Sequence, residues 1–123
     1  MFHDISLLDT NVVLVRRSSL EFSDSAEVDR ERERVRGILD GLGRAGKRLL
    51  IDSRQAPLST DARMSDAFRK LREELARGFD RTAVVVASKL GVLQAGRLLA
   101  DMRIDGSKGI FESEQAALQY LKQ

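Results

Sequence analysis

Cysteine is absent from this 123-residue chain, which excludes disulfides, thiolate nucleophiles and cysteine-bound zinc. Histidine occurs once, at His3, so a Ser-His-Asp triad would have to be built on that position. No H-E-x-x-H or carboxylate–histidine cluster exists to hold a transition metal. His3 lies in the first apolar run and reads as a strand or surface histidine. No apolar stretch reaches the length of a helical membrane span. The opening MFHDISLLD lacks the basic-then-apolar layout of a secretion signal, so a cytoplasmic protein is expected. Neither charge sign is in excess: 21 Lys and Arg face 19 Asp and Glu, for a net +2. The pI of 9.3 therefore overstates the basic character, and a mixed solvated surface is expected, not a nucleic-acid footprint.

The length suits one domain, residues 1–123, that can bury a core without staples. Residues 2–8 and 11–17 are apolar-rich, and Asp9-Thr10-Asn11 between them is turn chemistry, which predicts a hairpin. Ser23, Asp24 and Ser25 offer capping oxygens for a helix running to about Leu42. Its apolar stripe is Val28, Val35, Ile38, Leu39 and Leu42, with DRERER assigned to solvent. Residues 48–52 and 82–87 read as buried strands, and 108–111 as a last short one. Helices are expected from about Thr60 to Arg77, over 90–102, and from the Ser113 cap onward. The order is ββαβαβαβα. It predicts an α/β fold: a mixed sheet of about five strands, its inner strands parallel, with about four helices.

Gly41, Gly43 and Gly46 carry the G-x-G-x-x-G spacing of a dinucleotide loop, followed by Lys47. Such a loop must follow a strand and open a helix, so that phosphate meets free N–H groups at the positive end of the dipole. Here the glycines follow a helix and precede a strand. They fit C-cap and turn positions, with Lys47 and Arg48 placed to suit the negative helix end. No nucleotide or other cofactor is expected.

The element order resembles the STAS domain, the fold of SpoIIAA-type anti-sigma factor antagonists, and more closely the SpoIIAA-like (STAS/SEC14-type) single-domain bacterial proteins. The stretches that carry the likeness are the hairpin ending in VVLVRR, then KRLLIDSRQAP, GFDRTAVVVASKLGVLQAGRLL and IFESEQAALQYLKQ. In regulatory STAS proteins a partner kinase phosphorylates a serine at the start of the second helix, within an Asp-Ser-x-Gly type stretch. Asp52-Ser53-Arg54-Gln55 has the Asp-Ser pair without the glycine, and five residues separate Ser53 from Ser59-Thr60. The phosphoswitch pattern is thus incomplete.

Ligand sites in open α/β sheets favour the carboxyl ends of strands, which singles out the loop 52–61, DSRQAPLSTD, stiffened by Pro57, the chain's one proline. Within it Asp52, Ser53, Arg54, Ser59 and Thr60 are the candidate partner-binding or regulatory residues. Asp52 reads as an ion-pair partner of Arg54, and Ser59 or Thr60 as a helix N-cap. A response-regulator receiver fails because its acidic pair should open a helix after the first strand, whereas Asp9 opens another strand. The expectation is a non-catalytic interaction module of a bacterial signalling pathway whose partner is a protein, a kinase being one candidate, with a homodimer left open. The alternative is a domain for a lipid or small hydrophobic ligand. A lipid-sized pocket would consume most of a core this small.

Overall fold

The computed structural model describes residues 1–57, 62–100, 104 and 106–123. β1 (His3–Asp9) and β2 (Val12–Arg17) form the hairpin, followed by α1 (Ser25–Leu42) and β3 (Arg48–Asp52). A 3-10 turn, Ala62–Met64, leads into α2 (Ser65–Ala76), then β4 (Arg81–Val85), α3 (Lys89–Ala100), β5 (Ser107–Phe111) and α4 (Glu114–Leu121). The five strands lie in one sheet in chain order, β1 antiparallel to β2 and the others parallel. Each crossover steps the same way along the sheet, so crossovers of one hand place α1, α2 and α3 on one face.

The side chains agree. Val13, Val15 and Leu49 pack with Val28, Val35 and Leu39 of α1 and with Ala67, Leu71 and Leu75 of α2. Val84 and Val86 meet Leu99 of α3. Residues of opposite parity, Val12, Leu14, Leu50, Ala83 and Val85, face the other way and are closed by Ala117 and Leu121 of α4. Strands covered on both sides need no polar alternation, which is why 49–51 and 83–86 read as unbroken apolar runs.

Helix ends follow local chemistry. Asp24 caps α1 by accepting from the Glu27 N–H at 2.8 Å, and the Glu27 carboxylate reaches back to the Ser23 N–H at 2.8 Å, a variant of the capping box. α2 departs from expectation. Its N-cap position is Met64, with no side-chain cap, after the 3-10 turn. The caps expected at Ser59 and Thr60 lie outside the described residues.

The stripe of α1 also needs correcting. Glu31 is buried on it, while Ile38 is 36% exposed, so DRERER is not wholly a solvent face. Buried Glu74 of α2 plays the matching part across the helix pair. It accepts from Arg36 Nε at 2.7 Å, Arg44 Nη2 at 2.8 Å and Arg77 Nε at 2.9 Å. Arg44 also donates to the Glu74 and Arg77 carbonyls at the end of α2 and lies over the Phe79 ring at 5.7 Å.

Arg44 belongs to the glycine loop, and this is what the loop does. Three amides of this segment are engaged within the fold: Gly43 N–H by the Leu39 and Asp40 carbonyls, Lys47 N–H by the Arg44 carbonyl, Arg48 N–H by the Asn11 carbonyl of the hairpin turn. None of these is left to cradle a phosphate. The Arg48 side chain serves a different helix end from the one expected, donating to the Leu121 carbonyl at the end of α4 and to the Gln123 carbonyl at 2.9 Å.

Gly43 has φ +86°, whereas Gly41 lies inside α1 with open space where a Cβ would stand. Gly43→Ala should therefore destabilise by about 1 kcal/mol or more. Gly41→Ala should be neutral or stabilising by up to about 1 kcal/mol. Urea midpoints of the two variants check the contrast; equal shifts would contradict it.

Candidate functional site

The four parallel strands share a carboxyl edge, and there the chain concentrates charge. β2 ends in Arg16 and Arg17, whose side chains alternate to opposite faces of the sheet. Arg16 stands in register with Asp52, the last residue of β3. Arg54 returns to the same carboxylate through its backbone N–H at 3.1 Å and through Nε and Nη2, both at 2.9 Å. Glu114, at the start of α4, completes a ring of alternating sign, 3.6 Å from Arg16 and 3.6 Å from Arg54. Arg16 in turn lies 3.6 Å from Asp52. A cleft of about 210 Å³ opens at this edge, lined by Arg16, Arg17, Asp52, Arg54 and Gln55.

Asp52 anchors the ring: its side chain is 12% exposed, against 52% for Arg16. The Arg54 hydrogen bonds hold its carboxyl below the usual aspartate value, against the opposing effect of burial. A carboxylate held low is a poor proton acceptor near neutrality, so this geometry favours an electrostatic over a general-base role. Exposed pairs of this kind contribute at most about 1 kcal/mol each, so the ring is a weak structural fastening.

The edge thus brings together Asp52 and Arg54 as expected, and adds Arg16, Gln55 and Glu114. Ser53 sits in the turn after β3, its N–H extending the ladder to the Val85 carbonyl at 2.9 Å and its own carbonyl accepting from Ala56 at 3.1 Å. It is not at the start of α2, where the regulatory pattern would need it. Ser59 and Thr60 lie outside the described residues. Lys108, which a receiver would use at its site, donates instead to the Leu99 carbonyl of α3 at 2.9 Å.

A second ionisable cluster lies between β1 and α1. His3 Nδ1 and Glu31 Oε2 are 2.6 Å apart, both buried, and Arg34 donates to both Glu31 oxygens and to the His3 carbonyl. Burial alone would raise Glu31, but the hydrogen bonds from Arg34 and His3 prevail and hold it at about 2. Burial keeps His3 below its ordinary 6.5 in spite of the carboxylate. The consistent state is a neutral Nδ1–H imidazole donating to a carboxylate whose charge Arg34 balances. His3 is therefore a strand histidine, as expected, and a buried one.

Both groups oppose acid. A histidine kept neutral by the fold takes a proton in the unfolded chain below about pH 6.5, and a carboxylate held low loses its advantage below about pH 4.5. The melting temperature should fall in two stages as pH is lowered, the first starting near 6.5. His3→Gln, which keeps an N–H donor, should abolish the first stage alone. A single stage in the wild type would contradict the assignment.

The hairpin, the parallel crossovers and α4 closing the opposite face constitute a SpoIIAA-like fold. A crystal structure of an uncharacterised protein of the DUF3478 family with a SpoIIAA-like fold, from Shewanella loihica PV-4, superposes with a TM-score of 0.65. It is 20% identical, over 97% of this chain and 91% of that one. No family model matches the sequence, and no curated protein matches it. The likeness therefore defines the fold, and function has to be argued from the site. No helix among the described residues is long and apolar enough to cross a membrane.

Proposed function

We propose that this chain is a non-catalytic interaction module of a bacterial regulatory pathway, docking a protein partner over the loop 52–61, the start of α2 and the adjoining charged ring. The observation that carries the reading is that ring. Arg16, Asp52, Arg54 and Glu114 present alternating charge, partly exposed, where open α/β sheets take their ligands. Such charge patterns guide encounter and set register between proteins while adding little to stability. The cleft there, about 210 Å³, is smaller than the ~300–1,000 Å³ typical of small-molecule pockets, and its lining is charged.

The alternative, a lipid or small hydrophobic ligand, has one observation in its favour: α3 exposes Leu90, Leu93 and Leu98. Native mass spectrometry of the purified chain tests it by a retained ligand mass.

The partner reading is tested with Arg54→Ala and with Ser59→Asp combined with Thr60→Asp. Arg54→Ala should leave stability within about 1 kcal/mol of wild type, since Arg54 is exposed and the pair it loses is a surface one, and the double aspartate should spare the fold because aspartate also caps helices. Both should weaken a captured partner at least tenfold. Unaltered binding in both would move the interface elsewhere.

A further inference from the structure

On the helix side of the sheet, two arginines stand apart from the other described arginines that are not exposed. Among arginines that are not exposed, Arg34, Arg36 and Arg44 donate to carboxylates and Arg32 faces Asp29 at 3.8 Å. Arg48 and Arg81 donate to carbonyls at the end of α4. Arg17 and Arg72 have no carboxylate within ion-pair distance among the described residues. Arg17 donates to the Ser18 carbonyl at 2.7 Å, and its guanidinium lies over the rings of Phe2 at 5.6 Å and Phe22 at 5.0 Å. Arg72, on α2, lies over Phe68 at 5.7 Å.

The three rings form one stack. Phe2 and Phe22 are parallel with centroids 4.0 Å apart, and Phe68 meets Phe22 edge-on at 5.8 Å. The stack carries both guanidiniums on one apolar base, Arg17 over Phe2 and Phe22 and Arg72 over Phe68. The carboxylate that acts on Arg17 is Glu31, and its oxygens already serve His3 and Arg34. Burial pushes both arginines below their ordinary value, and neither has a carboxylate of its own at ion-pair distance among the described residues. Phenylalanine faces attract a cation but supply no counter-charge. Arg17 also lines the cleft at the sheet edge, beside Gln55, so an approaching anion has a way in.

We propose that Arg17 and Arg72, held on the Phe2–Phe22–Phe68 stack, form a site for a phosphate group, either free or as a phosphate monoester. Two guanidinium forks match the charge of about −1.5 to −2 and the oxygen-rich outline of that group better than they match a single carboxylate. Arg17 leaves β2 on the face opposite Arg16, and the two meet only at the shared cleft; the phosphate site rests on the arginine platform and not on the partner reading.

The test is an NMR titration of the arginine Nε–Hε signals of the full chain with inorganic phosphate, with phenyl phosphate and with sodium chloride, at constant ionic strength. Arg17→Lys and Arg72→Lys assign the two signals. Saturable movement of both with inorganic and phenyl phosphate supports a free-phosphate site, and movement with phenyl phosphate alone supports a monoester site. Each Lys variant should then weaken binding at least tenfold, since lysine lacks the fork. Movement equal to that in chloride, or wild-type affinity in both variants, would overturn the proposal.

Discussion

Val85→Asp should leave no folded protein. Val85 is fully buried in β4, packed with Leu14, Leu50, Ala117 and Leu121 on the α4 face. Losing the valine forfeits about 1.5–3 kcal/mol of apolar burial. The incoming carboxylate must also be desolvated, and its register partner on β3 is Asp52, a like charge. Together these costs reach the whole stability of a domain this size, about 5–15 kcal/mol. Val85→Thr separates polarity from shape: it keeps the outline, leaves one hydroxyl unpaired, and should cost about 1–3 kcal/mol. Circular dichroism and a denaturant midpoint check both variants. Wild-type melting of Val85→Asp would mean that β4 is not an inner strand.

Glu74→Ala should be the next most damaging change, at about 3–5 kcal/mol. The loss is not that of one attractive pair. It takes from buried Arg44 its one buried carboxylate, leaving the half-exposed Asp40 at 2.8 Å and two carbonyls, and removes the acceptor that ties Arg36 of α1 and Arg77 to the end of α2. Glu74→Gln keeps the shape and one acceptor oxygen and should cost less. Burial would raise the Glu74 carboxyl, but Arg36 and Arg77 hold it below its ordinary 4.5, so its contribution is lost as pH falls through that value. The difference in stability between wild type and Glu74→Ala should therefore shrink in acid. A constant difference from neutral pH to about pH 3 would show that the carboxylate is not the ionised centre of this network.

The fold was legible because apolar runs, capping residues and chain order all point to one topology. Asp24, Val28, Leu71, Val85 and Ala117 stand in the elements their local sequence indicates. What local sequence hid is pairing at a distance. Glu31 lies on the stripe of Val28 and Val35, yet inside DRERER it reads as solvent-facing; His3, the partner that admits it to the interior, is 28 residues away. Arg44 reads as loop decoration until α2 is placed against it. The same division holds at the site. Asp52–Arg54 could be foreseen from an i,i+2 spacing, whereas Arg16 joins through parallel register and Glu114 through the packing of α4 on the sheet. α2 starts later than the expected Thr60, at Ser65, because a 3-10 turn over Ala62–Met64 takes up the first turn of the helical pattern. The aromatic platform was equally invisible: Phe2, Phe22 and Phe68 are scattered along the chain and meet only once α1 and α2 pack on the sheet.

Hydrogen–deuterium exchange of the chain with and without its captured protein partner tests the docking assignment most directly. Protection is expected in residues 53–65, in the Glu112–Ala116 segment and at the end of β2, with α3 and the exposed face of α1 unchanged. Protection confined to α3, with the carboxyl edge exchanging as in the free chain, would contradict the account.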